Sequence, residues 1–332
     1  MEAIYNLGVQ IVVFLQSLGG WFIGLMRFFS YLGKEEFLLL VAPALFWCVD
    51  AGLGLRTGLA LMISNGVNAS LKLAFHAPRP YWYNPSVQPL AAETSFGMPS
   101  NHSQSAVVVW GLIAAWIGKT WSWIVAITLM FMIGLSRIHL GVHFPTDVLV
   151  GWVIGAILLW AVLHYEKSII NWFRSFSTKN QVLIVLGVSL VIILIGIIIR
   201  LTLGNWTVPE SWASLASRIP NSEPIDPLAL SGLVSAAGVF FGLALGGIIL
   251  YQRGWFNARG PAWQLIVRYI IGLVGVIAIW DGLGGIFPRG ESILPFILRY
   301  IRYALVGLWI TGLAPLWFIQ LKLAKPGQAK LT

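Results

Sequence analysis

The sequence predicts an all-α, polytopic helical membrane protein, and three observations carry that prediction. Of 332 residues, 58% are hydrophobic and only 10% are charged, against ~25% charged residues in an average soluble domain. The apolar runs are continuous over about 20 residues, the length of a spanning helix, and do not alternate as barrel strands do. The 17 Trp residues suit a protein with two membrane–water interfaces, where aromatic side chains gather. A water-soluble globular enzyme is thereby excluded. The formal charge of +9 suggests nucleic acid in isolation, but its distribution follows membrane topology, and no nucleic-acid partner is expected. The single Cys48 permits no internal disulfide.

About ten spans follow from the apolar runs. The first six are expected near 9–30, 36–50, 54–75, 103–118, 121–136 and 147–164, and the last four near 182–201, 229–250, 264–280 and 300–320. The chain has Glu2 and no Lys or Arg before the first run, so the basic start of a cleaved signal peptide is lacking. Residues 76–99 read as a loop, with Pro78, Pro80, Pro85 and Pro89 beside Asn84 and Glu93. Residues 202–228 read as a second loop, with four prolines and Trp206 and Trp212 as interfacial anchors. The polar stretch Glu166–Gln181 divides the chain into a six-helix core over 1–165, a cytoplasmic linker over 166–181 and a C-terminal transmembrane region over 182–332.

Lys and Arg counts set the orientation. One side takes 11, including Arg56, Lys167, Arg253 and Lys330, and the other takes 10. Five of the ten are Lys72, Arg79 and Arg137, which belong to the constellation described next, and Arg27 and Arg200 at helix ends. Setting these aside leaves 11 against 5. The first side is therefore expected to be cytoplasmic, with both termini on it and the proline-rich loops facing outward. The implied location is a cytoplasmic (plasma) membrane.

Three clusters then fall at one membrane face. They are Lys72-x6-Arg79-Pro80, Pro99-Ser100-Asn101-His102, and Ser136-Arg137-x5-His143-x3-Asp147. Ionisable groups are costly in lipid unless paired or functional. Three cations suit a tetrahedral oxyanion, which Arg grips in bidentate fashion. Ser100 and the N–H groups opening the fourth helix add donors where the helix dipole favours an anion. His143 and Asp147 are four residues apart and would share a helix face. The carboxylate fixes the imidazole tautomer and leaves the other ring nitrogen nucleophilic. His102, arriving from another helix, is free to act as an acid. No ligand cluster for a metal is evident, and no cofactor is expected.

At these residues the sequence resembles the type 2 phosphatidic acid phosphatase (PAP2) family of integral membrane phosphatases. The resemblance covers about half the chain and implies six core helices. It also implies metal-independent hydrolysis of a lipid phosphate through a phosphohistidine. On this resemblance His143 is the nucleophile, Asp147 its orienting partner and His102 the general acid and then the base. Lys72, Arg79, Ser100 and Arg137 hold the phosphate. Asn101 replaces the usual Gly; Asn tolerates a left-handed backbone, and its side chain narrows the site or offers another donor. The expected substrate is a lipid phosphate or polyprenyl pyrophosphate, with membrane lipids as neighbours. A phosphotransferase with the same phosphoenzyme and a transporter or flippase with a vestigial site are the competing readings. The related vanadate-dependent haloperoxidases share the anion site but are soluble.

All five histidines lie between His76 and His164, so the second half offers no second site of this kind. His139 is expected to pack or to support the site from behind, and His164 to lie at the interface. A faint echo links Leu140–Pro145 to Leu283–Pro288, four identities in six, with Ile286 at the position of His143. A degenerate partial copy of the core is one expectation, and chance similarity of apolar helices is the other. The 202–228 loop emerges on the site's face and is expected to cover it as a lid.

Overall fold

A computed structural model describes residues 2–327 of the chain; Lys330, counted above on the cytoplasmic side, lies outside the described residues. The fold is all-α, with one two-residue β ladder joining β1 (Phe256–Asn257) to β2 (Lys325–Pro326). The helices are α1 (Glu2–Gln16), α2 (Trp21–Tyr31), α3 (Glu35–Ala44), α4 (Ala51–Phe75), α5 (Pro80–Tyr83), α6 (Asn101–Ile117), α7 (Thr120–His139) and α8 (Pro145–Arg174). There follow α9 (Thr178–Thr202), α10 (Glu210–Ala216), α11 (Ser231–Gln252), α12 (Ala262–Ile277), α13 (Leu283–Ile286), α14 (Ile293–Leu308) and α15 (Ala314–Gln320). Each of the ten predicted runs is helical. Among the described residues six helical stretches are by themselves long and apolar enough to cross a membrane, or seven if α1 and α2 form one span.

The first predicted span, 9–30, is corrected. Gly19, at φ +99°, takes a backbone that side chains resist, and α1 and α2 meet at 115°. Both helices stay beside the loop that carries His143. Tyr5 stacks on Phe144 with ring centres 5.0 Å apart, the Gln16 amide donates to Gln88 O and His139 O at 2.8 and 3.1 Å, and the Ser30 hydroxyl accepts from Arg137 at 2.5 Å. The pair is thus not one straight helix but a sharply bent one, a broken span or a re-entrant segment.

The predicted linker is also largely helical. α8 runs on to Arg174 and α9 begins at Thr178, leaving only residues 175–177 as the break. Polarity there marks the exit from lipid and not the end of the helix. Glu166, within the extension, pairs with Arg56 at 2.9 Å. At the second span the helix widens: Pro43 lies inside α3, and a π-helical turn follows at Leu45–Val49. Proline lacks the N–H that the ladder needs and crowds the preceding turn, a common origin of such irregularities.

Two compact units emerge. The first comprises Met1–Phe37, Val67–Leu159 and Ile195–Ala229; the second comprises Leu38–Gly66, Trp160–Leu194 and Leu230–Thr332. In the first, a core of Val9, Val12, Tyr81, Trp82, Val87, Val142 and Phe144 underlies the proline-rich loop. Asn68 on α4 donates to Pro99 O at 3.2 Å and to Gln104 Oε1 at 2.9 Å. That pair pins the start of α6 to α4. In the second unit Phe46, Trp47, Leu243, Val276, Val306, Ile310 and Phe318 form the core. The Trp47 indole there donates to Ile310 O at 2.8 Å.

The 202–228 segment is not wholly a loop, since it contains α10. Within the first unit it lies over residues 76–99. Trp212 packs on Trp82 with ring centres 6.0 Å apart, and Trp206 on Phe96 at 5.3 Å. Arg218 donates to Pro85 O at 2.9 Å, and the Asp226 N–H to Thr94 O at 3.1 Å.

Candidate active site

All eight residues singled out in the sequence lie in the first unit, and three helix ends deliver most of them. α4 ends just beyond Lys72, α6 opens at Ser100–His102, and the turn between α7 and α8 carries His143. That turn depends on Gly141, which has φ +76° and would drive a Cβ to 2.6 Å from Gln88 O.

His143 precedes α8 instead of sharing a face of it with Asp147, so the expected helical pair is corrected. Asp147 is the third residue of α8, and its Oδ2 accepts the Phe144 N–H at 2.9 Å, reaching back over the helix start as a capping residue does. The same oxygen lies 3.3 Å from His143 Nδ1. A proton on Nδ1 is therefore held by Asp147, and the lone pair of Nε2 points away from it. His143 Nε2 stands 3.3 Å from Arg79 Nη1. Both His143 and Asp147 are buried. Burial first, and then the positive charges of Arg79, Arg137 and Lys72, hold the His143 imidazole well below its ordinary value of 6.5. It is neutral near pH 7, the form in which a nitrogen can attack.

The cations are tightly held. Arg79 is fully buried; its Nε donates to Ser95 O at 2.7 Å and its Nη1 to Val142 O at 2.9 Å. Its Nη2 reaches Ser95 Oγ and Phe96 O, each at 3.1 Å, and the guanidinium lies over the Trp82 ring. Lys72 donates to Ser95 Oγ at 2.8 Å. Arg137 donates to Ser30 and, through Nη2, to Glu93 Oε1. Among the described residues its Nε is buried without a hydrogen-bond partner, as is His102 Nε2. A Cβ on Gly33 would lie 3.0 Å from both His102 Cδ2 and Ile133 Cγ2. Gly33 therefore admits the imidazole beside α7, one turn before Arg137.

Ser100 and Asn101 open α6. Ser100 is the N-cap of α6: its Oγ accepts from the Ser103 N–H at 3.4 Å and from the Ser103 hydroxyl at 3.0 Å. Its own O–H remains to donate. The Asn101 side chain bonds Ser105 at 3.2 Å, along its own helix, and its backbone is not left-handed. Its contribution at this position is its N–H at the helix start.

The sequence reading missed Glu93, Ser95, Ser30 and Tyr81 as parts of the site. Glu93 was visible only as the lone acid of the 76–99 loop. Its Oε2 is 3.6 Å from Arg79 Nη2. Although burial opposes it, the charges of Arg79 and Arg137 hold its carboxyl well below the usual carboxylate range. His139 is a packing residue, with Nδ1 3.1 Å from Leu15 O and its ring edge-on to Phe22. His76 is exposed and lies beside Trp206. His164 stacks on Trp160 with ring centres 5.3 Å apart.

Buried cations thus surround the His143 imidazole, with a second imidazole, that of His102, among the same charges. A family profile described as the PAP2 superfamily matches residues 53–171, and one described as a PAP2 superfamily phosphatase transmembrane extension matches residues 234–326. Phosphatidylglycerophosphatase B of Bacillus subtilis is 30% identical over 45% of this chain and 77% of its own length. Glucose-6-phosphatase 2 of Mus musculus is 26% identical over 99% of both chains. The undecaprenyl-diphosphatase of Sulfolobus acidocaldarius is 26% identical over 44% of this chain and 71% of its own. The chain belongs to the PAP2 superfamily and is a multi-pass membrane phosphatase of that type.

Proposed function

We propose that the protein hydrolyses a phosphate monoester or diphosphate through a phosphohistidine on His143, with no metal. The observation that carries this reading is the His143 ring itself, bonded to Asp147 on one nitrogen and facing Arg79 with the other. Nε2 attacks phosphorus, and the ester P–O bond breaks as His102, protonated, gives its proton to the leaving oxygen. His102 then takes a proton from water, which displaces His143 and releases inorganic phosphate. Lys72, Arg79, Arg137, the Ser100 hydroxyl and the N–H groups at the start of α6 hold the phosphoryl oxygens.

The alcohol is a lipid in the first reading, as the names of the Bacillus and Sulfolobus relatives suggest. A second reading, a water-soluble sugar phosphate, is favoured by the alignment with glucose-6-phosphatase 2, which runs through the C-terminal extension as well. Phosphate release from phosphatidic acid, phosphatidylglycerophosphate, undecaprenyl diphosphate and glucose 6-phosphate separates them. His143→Ala should abolish release from whichever ester is turned over; persistent release would overturn the mechanism. Solvent 18O missing from the released phosphate would favour phosphotransfer to another acceptor.

The charge count supports an extracytoplasmic site. We read α1 and α2 as re-entrant, which puts the N-terminus on the site's face; a broken span would keep it on the cytoplasmic side, as the sequence suggested. In a Cys48→Ser background, cysteines at the exposed positions Glu2 and Glu223 should react with an impermeant maleimide added outside intact cells. One at Arg253 should not. The reverse pattern would overturn the orientation.

A further inference from the structure

The phosphate-binding cations already hold an anion that belongs to the chain. Glu93 is placed by its backbone, since the Tyr81 hydroxyl donates to Glu93 O at 3.0 Å and accepts the Glu93 N–H at 3.1 Å. From that anchor its carboxylate takes a hydrogen bond from Arg137 Nη2 and stands 3.6 Å from Arg79 Nη2. Two residues on, Ser95 Oγ accepts from Lys72 and Arg79. The three cations of the phosphate site are thus engaged by one short segment. A carboxylate and a phosphoryl group present the same acceptors to a guanidinium.

We propose that Glu93 is a resident competitor for the phosphate site, an internal anion that the phosphoryl group must displace, and that it thereby sets the affinity for substrate and product. This inference rests on the anion-site reading given above. Two anions cannot share the Arg137 Nη2 donor at hydrogen-bonding distance, because like charges in a desolvated site repel strongly. Without a bound anion, Glu93 offsets the mutual repulsion of buried cations and keeps the site assembled. Its side chain is 27% exposed, whereas those of Arg79 and Arg137 are 0% and 1% exposed. The carboxylate therefore has a route outward that its partners lack. Thr94 and Phe96 are meanwhile held by Asp226 and Trp206, so a side-chain rotation suffices and the loop backbone stays in place. Apparent affinity falls by the fraction of time that Glu93 occupies the site.

Binding of orthovanadate to the purified full-length protein in detergent tests this, with KM and kcat for the best ester of the panel. Glu93→Gln removes the charge at constant shape and should tighten vanadate by about ten-fold or more, with KM falling by a similar factor. Glu93→Asp, which shortens the reach to Arg137, should tighten it less, and it carries the test should the Gln variant fold poorly. Unchanged or weaker vanadate binding with a raised KM in the variants would overturn the proposal and make Glu93 a positioning residue for Arg137. Vanadate binding to none of the proteins would overturn the anion-site reading itself. Wild-type binding with unaltered variants overturns the competitor alone.

Discussion

Two helix pairs, one in each compact unit, are joined by the same device and differ in everything their contact carries. α6 and α8 approach through glycine: a Cβ at Gly151 would lie 2.7 Å from Ser100 O, and one at Gly155 would lie 2.7 Å from Gln104 O. α11 and α14 do likewise, with a Cβ at Gly238 2.7 Å from Tyr300 O. Small residues let backbones come close in a bilayer, where lipid gives no hydrophobic drive to association. Around the first pair lie Ser100, His102, Gln104 and Asp147. Around the second lie Leu233, Val234, Ala237, Leu243 and Val306, with the Thr311 hydroxyl returned to Leu243 O at 2.8 Å. Close packing is therefore shared architecture, and catalytic capacity is a matter of which side chains the helix ends deliver.

The comparison is broken most sharply at Asp147. Asp147→Asn preserves shape but removes the charge, and a single amide atom must stand where Oδ2 now meets both the Phe144 N–H and His143 Nδ1. An N–H₂ there loses the Phe144 bond and sends the imidazole proton to Nε2, the atom proposed to attack. An oxygen there keeps both contacts but no longer offsets a charge developing on the ring. Turnover should fall on the order of a thousand-fold or more, while thermal stability in detergent changes little. A loss below ten-fold would remove Asp147 from its orienting role.

Next in size is a matched pair of insertions. Gly155→Ala and Gly238→Ala each push a methyl to 2.7 Å from a facing carbonyl, a strain worth ~1–3 kcal/mol. Both should lower the melting temperature. Only Gly155→Ala should also lower kcat, by about ten- to a hundred-fold, because α6 positions His102 and α8 positions Asp147. Equal losses of kcat in both variants would show that the second pair matters to catalysis as the first does.

This contrast explains what the sequence disclosed. Lys72, Arg79, His102, Arg137, His143 and Asp147 were legible because each stands at a span end at fixed spacing, where an ionisable group needs a reason. Glu93, Ser30 and Tyr81 were not, because each meets its partner through long-range contacts that no local spacing encodes. The bend in the first span was not legible because hydropathy sums residues and ignores the Gly19 turn. The helical continuation through Glu166–Arg174 was not legible either, because polarity marks where apolar character ends and not where the helix does. His143 and Asp147 were paired correctly but through the wrong geometry: a cap at the helix start serves the four-residue spacing as well as a helix face does.

A gentler test uses pH. In the proposed mechanism His143 attacks only when neutral, and its pKa is depressed by burial and by Arg79, Arg137 and Lys72. The neutral form therefore persists as pH falls through 6.5, while His102, held low by burial and then by Arg137, gains over the same range the proton it is proposed to donate. Accordingly kcat/KM should not decline there and should fall only where His143 itself is protonated. Arg79→Gln removes one of those charges, so the acid limb of its residual activity should move up toward 6.5. A wild-type limb at or above 6.5 would contradict a buried neutral nucleophile. No histidine follows His164, so no imidazole of the second half can account for this limb.

The smallest expected effect falls at the echo of the nucleophile. Ile286 aligns with His143, but it is 77% exposed, whereas His143 is buried. Four residues on, where Asp147 would stand, is Gly290 at φ +134°. Position 280, aligned with Arg137, is Trp280. A histidine at 286 would lack the carboxylate four residues on and the arginine six residues before that His143 has. Ile286→His should alter stability by no more than about 0.5 kcal/mol and leave phosphate release as in the wild type. Added to His143→Ala it should restore nothing. Partial rescue would mean that the second half retains a phosphoryl site, and the separation of packing from chemistry drawn between the two helix pairs would fail.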